Sequence, residues 1–173
     1  MNKKFKIGDY EIPRESLKER FLRYAVDSRI SLFQLAKMAR LGGTFPYNLV
    51  SDGSMRFGSL EKIANHLDLI SLVLYNEERH CVEDLESSGF LSGENIENYV
   101  GRVFRRRRMP KGLTQKKISK MSHLSSSYLS QVENGLRDIG TGNIDMIGDL
   151  LDLIPFYLVP KSKTIAISQN AKY

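Results

Sequence analysis

Apolar residues recur at helical spacing along two stretches of this chain, and the stretch between them is polar and acidic. Near the start, Lys3–Ile12 (KKFKIGDYEI) alternates apolar and polar residues around Gly8-Asp9, the pattern of a short hairpin or an extended arm. Pro13 fits the first turn of a helix running to about Ser28, with Leu17, Phe21 and Tyr24 on one face. Leu32 to Ala39 reads as a second helix, followed by Gly42-Gly43. Thr44 suits the cap of a third helix, with Pro46 near its start and Asp52-Gly53 at its end. Ser59 opens a fourth, LEKIANHLDLI, which turns Leu60, Ile63, Ala64 and Leu67 inward.

The pattern then changes. Asn76 to Glu97 holds seven acids against one base, Arg79, and includes Ser87-Ser88-Gly89 and Ser92-Gly93. It reads as the joint between two domains, its first part continuing a helix that carries Leu72, Val73 and Leu74. Within it, Cys81-Val82 and Leu85 have the spacing of a short packed helix. Helical periodicity returns at Ile96 to Arg108, with Ile96, Val100, Val103 and Phe104 on one face and arginines across the other. Helices Thr114 to Met121, Ser125 to Asn134 and Ile144 to Ile154 follow, and Pro155 and Pro160 bracket an extended piece. Thr164 to Ser168 alternates like a strand that could pair with the N-terminal hairpin.

The two helical stretches are copies of one unit. Leu35-Ala36-Lys37-Met38 stands 83 residues before Ile118-Ser119-Lys120-Met121, and Leu41 keeps that offset to Leu124. Ser59 to Leu69 matches Asn143 to Leu153 at an offset of 84. Two copies of one helical unit explain 173 residues better than a single large core.

Composition narrows the function. The hydrophobic fraction of 41% and the charged fraction of 27% are those of an ordinary soluble protein. Cys81 is the single cysteine, which excludes an intrachain disulfide and a cysteine-rich metal site. With no signal-peptide pattern at the N-terminus, this points to the cytoplasm. The longest apolar run, Leu150 to Val159, is broken by Asp152 and Pro155 and is too short to span a bilayer. His66, His80 and His123 lack metal-ligand spacing, and no glycine-rich phosphate loop follows a strand. Cys81 lies among acids that raise a thiol's pKa, and Glu83, Asp84 and Glu86 read as a solvated face. Neither an enzyme nor a cofactor is expected.

Charge distribution says more than the net charge of +6. From Asn98 to Val132 there is no acid, while Arg102, Arg105, Arg106, Arg107, Arg108, Lys111, Lys116, Lys117 and Lys120 are basic. The rest of the chain is net acidic, so the positive charge is concentrated, as a polyanion-binding surface requires.

Inside this window, Leu113-Thr114-Gln115 opens one helix and Ile118-Ser119 lies in its middle. Ser125-x-Ser127-Tyr128-Leu129-Ser130 opens the next helix and Glu133-Asn134-Gly135 closes it. These 23 ungapped residues resemble the helix-turn-helix of the Cro/C1-type (XRE-family) repressors of phages and plasmids. The resemblance is close over residues 96 to 154 and loose over residues 17 to 69. Thr114 and Ser125 suit helix caps, Gly135 a left-handed helix end, and Ile118, Leu124, Leu129 and Val132 a fixed crossing of the two helices. The resemblance implies base contacts from Ser126, Ser127 and Gln131, with Tyr128 and DNA shape adding specificity. Gln131 is the best candidate for an adenine edge, because its amide offers a donor and an acceptor. Gln115, Ser125 and Asn134 are implied to touch phosphates or fix the fork, and Thr114 to leave a helix N-terminus aimed at a phosphate. Arg105, Arg106, Arg107, Arg108, Lys111 and Lys116 are expected to grip the backbone.

Two positions depart from the family pattern: His123 stands at the turn where glycine is usual, and Ser119 where alanine is usual. The first copy departs further, with Leu32 in place of Gln115, Gly42-Gly43 in place of Ser125-Ser126, and Val50 in place of Glu133. Its Arg40, Tyr47, Asn48 and Arg56 remain candidates for a second DNA contact, but packing or dimerisation is the first reading of this degenerate copy.

The expected protein is mostly α, with two tandem five-helix-type helix-turn-helix domains and a small terminal β-hairpin or sheet. Residues 1–75 form the degenerate domain, 76–95 an acidic linker, 96–160 the Cro/C1-type domain and 161–173 an extended tail. The resemblance implies a DNA-binding transcriptional regulator, a repressor acting as a homodimer on double-stranded DNA, with no membrane partner. The rival reading is an antitoxin-like or inhibitor module whose N-terminal copy binds a protein partner. A third is a DNA-bending accessory protein.

Overall fold

The computed structural model describes residues 4–7, 10–13, 17–52, 55–79, 81–83 and 96–160. The chain divides into two compact units, Met1–Val73 with Phe156–Tyr173, and Leu74–Pro155. Described residues of the first unit begin with strands β1 (Lys4–Ile7) and β2 (Tyr10–Pro13), paired antiparallel with Lys4 opposite Pro13 and Ile7 opposite Tyr10. Helices α1 (Leu17–Asp27), α2 (Leu32–Met38), α3 (Phe45–Asp52) and α4 (Phe57–His66) follow, then strand β3 (Leu69–Asn76). Next come β4 (Cys81–Val82), α5 (Ile96–Arg108), α6 (Gln115–Ser122), α7 (Ser126–Glu133), α8 (Thr141–Leu150) and β5 (Leu153–Pro160). The second sheet has the strand order β4-β3-β5, with Tyr75 opposite Val82 and Asn76 opposite Cys81.

The core of the first unit gathers Leu17, Phe21, Leu35, Leu49, Phe57, Leu60 and Ile63, all buried. Phe21 meets Phe45 edge-on at 6.2 Å between centroids. In the second unit Tyr99, Val100, Val103 and Phe104 of α5 pack with Ile118, Leu129, Val132, Ile139, Ile144 and Ile147. The fully buried Tyr99 donates its hydroxyl to the Glu83 carbonyl at 3.0 Å and accepts from the Leu74 amide at 3.4 Å, so its polar end is satisfied. Gly101 lets α5 close on α7. A Cβ there would run into the Val132 carbonyl and the Glu133 backbone.

The sequence repeat recurs as repeated local geometry. Ser31 and Thr114, 83 apart, cap α2 and α6, and each hydroxyl accepts the amide three residues on, at 3.2 and 3.1 Å. Left-handed residues recur at the same offsets: Arg29 with Gly112, Arg40 with His123, and Asp68 with Asp152. Each pair ends one helix or turns the chain into the next element. In the last two pairs both copies hold a non-glycine residue in this costly conformation, whereas Gly112 relieves the strain at the place of Arg29.

Several expectations change. Pro13 is the last residue of β2 rather than the start of a helix, and α1 begins at Leu17. A strand end tolerates proline, which lacks the amide needed inside a ladder. The fourth helix starts at Phe57, two residues before Ser59. Leu72, Val73 and Leu74 lie on a strand, not a helix. Asp68 at φ 53° ends the helical path, and Leu69 to Asn76 is buried on both faces, as a central strand requires. Asp152 does the same at φ 55°, so α8 stops at Leu150 and Leu153-Ile154 belongs to β5. Cys81-Val82 is a strand rather than a short helix, and Leu85 lies outside the described residues. Of the expected acidic linker, Asn76 to Glu83 includes a turn and β4, tied by a bond from Asn76 Nδ2 to Glu83 Oε1 at 2.5 Å. Residues 84–95 and the tail, including Thr164 to Ser168, lie outside the described residues.

Candidate nucleic-acid interface

The local chemistry of α6 and α7 positions one exposed surface. Thr114 accepts the Lys117 amide at 3.1 Å and Ser125 accepts the Tyr128 amide at 3.1 Å, so both hydroxyls fix helix starts. The turn between the helices passes through His123 at φ 57°, the left-handed value expected at this position. Helix α7 ends with the Gly135 amide on the Val132 carbonyl at 3.0 Å and the Leu136 amide on the Gln131 carbonyl at 2.8 Å. With Gly135 at φ 65° this is a Schellman end, whose left-handed residue accepts glycine most easily. Leu129 and Val132 are buried, which leaves Ser126 and Ser127 exposed on the opposite side of α7, with Tyr128 and Gln131 half-buried beside them.

The arginine run at the end of α5 splits by function. Arg105 and Arg106 are exposed. Arg107 is buried at 7% exposure, its Nη2 donating to Glu78 Oε2 at 2.9 Å and its Nε to the Leu151 carbonyl at 3.4 Å, with Glu83 Oε1 4.0 Å away. Its guanidinium is committed inside the unit rather than to a phosphate, because Val100, Val103, Phe104 and Arg107 share the inward stripe of the helix. Arg108 forms a two-pronged pair with Glu133, Nε to Oε1 at 2.6 Å and Nη2 to Oε2 at 2.9 Å, and donates Nη1 to the Leu113 carbonyl at 2.7 Å. The hydrogen bonds it donates to Glu133 push the Arg108 pKa above its ordinary value. Gln115 Nε2 joins the same carboxylate at 2.8 Å. Glu133 thus ties together the end of α5, the start of α6 and the end of α7, and Gln115 fixes the fork. Lys111 pairs with Asp152.

What remains is a shallow concavity lined by Arg105, Arg108, Thr114, Gln115, Lys116, Ser126, Glu133 and Asn134. Arg105 and Lys116 are exposed and form no ion pair among the described residues. Asn134 is exposed, with Nδ2 donating to the Ser130 carbonyl at 2.8 Å. Two contributors escaped the sequence reading. Arg137 lies over the Tyr128 ring at 5.0 Å and donates to Gln131 Oε1 at 3.2 Å, and Asn143 donates to the Tyr128 hydroxyl at 3.1 Å. Both lie beyond Gly135, where the motif stops, so spacing within the motif could not find them.

In the first unit Arg40, Tyr47, Asn48 and Arg56 are all exposed. Tyr47 meets Phe33 edge-on at 5.7 Å, with the two 67% and 55% exposed. Phe33 holds the place, 83 residues earlier, of Lys116. The first copy therefore presents an aromatic pair where the second presents a cation.

Cys81 is half-buried, and burial followed by the Glu83 charge pushes its thiol above the usual range. Among the described residues no cluster of acids, histidines and cysteine could hold a metal ion, and no helix is long and apolar enough to cross a membrane. A protein-family model described as Helix-turn-helix matches residues 104–158. No curated protein and no solved structure matches the chain.

Proposed function

Because residues 104–158 belong to the helix-turn-helix family of Cro/C1-type DNA-binding regulators, we propose that this chain represses transcription by binding specific sites on double-stranded DNA. The observation that carries the reading is the surface of α7. A capped, exposed helix of eight residues stands beside the exposed cations Arg105 and Lys116, and its fork is held by the Arg108–Glu133–Gln115 cluster. A major groove admits a helix of this size, and hydrogen-bonding side chains on its outer face meet base edges there. Ser126, Ser127, Tyr128 and Gln131 contact bases in this reading. Arg105, Arg106, Lys116 and the start of α6 at Thr114 hold phosphates, with Ser125 and Asn134 beside them. Arg107 and Arg108 build the platform instead.

One such helix reads only a few base pairs, so the regulator acts in the cytoplasm as a homodimer on a two-fold site. A second reading has one specific support. The exposed Phe33–Tyr47 pair suits an apolar partner better than a phosphate, which favours a protein-binding role for the first unit.

Selection of bound duplexes from a random library, at two salt concentrations, tests the proposal. An enriched two-fold site, with affinity falling steeply as salt rises, is the expected result. Failure of the folded chain to bind any duplex overturns it, and an asymmetric site replaces the homodimer with two unlike reading heads. A reporter placed behind the selected site tests repression. Its output should fall when the chain is present.

A further inference from the structure

Arg137 lies just beyond α7, four positions after its last residue, Glu133. Its guanidinium lies over the Tyr128 ring at 5.0 Å, and its Nη1 donates to Gln131 Oε1 at 3.2 Å. Tyr128 is held from its other end by Asn143, which donates to the phenol oxygen at 3.1 Å. Tyr128 and Gln131 are three residues apart on α7 and share a face. The ring, the amide and the guanidinium therefore form one supported cluster, with Arg137 exposed and Gln131 half-buried.

This cluster changes what Gln131 can read. A free glutamine amide pairs with adenine by offering one donor and one acceptor. Here one of the two acceptor sites on the carbonyl oxygen is already engaged by a cation. Rotating the amide would set its NH2 against the guanidinium N–H, donor against donor, so the carbonyl stays toward Arg137. The remaining hydrogen-bonding capacity of the pair is mostly donor: the hydrogens of Gln131 Nε2 and the other N–H groups of Arg137, against one lone pair on Gln131 Oε1. A surface rich in donors, carrying positive charge, matches one base edge best. Guanine presents two acceptors, O6 and N7, in the major groove, whereas adenine and cytosine each present a donor and thymine a single acceptor beside a methyl group.

We propose that Arg137 is a specificity-determining residue, and that it and Gln131 act together to read guanine. This rests on the DNA-binding reading above and replaces adenine as the expected partner of Gln131. Stacking on Tyr128 holds the guanidinium plane, so the fork is positioned before DNA arrives.

The experiment uses the full chain and the duplex selected above. Binding is measured with the guanine at the position governed by α7 left intact, replaced by adenine, or replaced by 7-deazaguanine, which lacks the N7 acceptor. Wild-type protein should lose at least about fivefold in affinity with either replacement. Arg137→Ala should lose the preference for guanine and, with the Gln131 amide freed, bind the adenine duplex at least as well as the guanine one. Arg137→Lys, which keeps the charge without the planar fork, should retain the salt dependence but lose most of the preference. Circular dichroism confirms that both variants are folded. If the position altered by Gln131→Ala and Arg137→Ala selects adenine, the inference is wrong while the DNA-binding reading stands. The same holds if Arg137→Ala weakens all three duplexes equally, since that marks a phosphate contact. If the folded wild-type chain binds no duplex, both fall together.

Discussion

Replacing Glu133 with alanine tests whether the interface is built from the inside. The Glu133 carboxylate is 7% exposed and its partner Arg108 14% exposed, and they meet through two bonds of 2.6 and 2.9 Å, with Gln115 as a third donor at 2.8 Å. Removing the acid leaves a guanidinium that is largely cut off from water and retains only the Leu113 carbonyl. Loss of one partner from a buried pair costs about 3–5 kcal/mol, and the partial exposure of Arg108 places the expectation near ~3 kcal/mol. For a folded unit of roughly 80 residues that lowers the melting midpoint by roughly 12–24 °C. Urea unfolding followed by circular dichroism measures the change. The double variant Arg108→Met/Glu133→Met should regain most of the loss, because it leaves no unpaired charge. A cost below about 1 kcal/mol for Glu133→Ala would mean the pair behaves as a solvated surface pair, and the platform argument would be refuted.

Three further outcomes are expected. Arg105→Ala and Lys116→Ala should leave stability within about 0.5 kcal/mol and each flatten the dependence of log affinity on log salt by about one, whereas Arg107→Ala should lower stability by ~3 kcal/mol. Denaturant titrations beside binding isotherms at several salt concentrations separate the two classes. Gly101→Ala should cost at least about 2 kcal/mol in the same titration, because its Cβ meets backbone of α7 that cannot turn aside. Burial and the Glu83 charge both favour the neutral thiol of Cys81, so its thiolate forms only above the usual thiol range. Alkylation by iodoacetamide near pH 8 should be slower than for a cysteine peptide. Stability drawn from this raised pKa is present below the peptide value and declines as pH rises through the folded one.

Much of this protein is legible within short windows of sequence. Helix caps at Thr114 and Ser125, the left-handed end at Gly135, the pairing of Lys4–Ile7 with Tyr10–Pro13 and the stretched Pro155–Pro160 segment each depend on a few neighbouring residues. The repeat offset is equally local, and the same offset appears in the backbone as Arg40 with His123 and Asp68 with Asp152. The errors have the same origin. Leu69 to Asn76 has no helix or strand period because both of its faces are buried, so periodicity gave no guidance there. Arg107 was a different kind of error. At 100° per residue, four consecutive arginines must wrap around a helix, and one had to fall on the stripe of Val100, Val103 and Phe104.

The amino-acid sequence alone determined the helix-turn-helix, its caps and the concentration of positive charge, because those are properties of adjacent residues. Tertiary structure alone decided which cations remain free. Arg107 meets Glu78 across 29 positions and Arg108 meets Glu133 across 25, while Arg105 and Lys116 find no acid among the described residues. It also decided that an acceptor site of Gln131 is taken by a cation, since Arg137 reaches it from beyond the helix end. A side chain's type sets what it can bind, but its partners are settled by which distant groups the packed chain brings within hydrogen-bond reach.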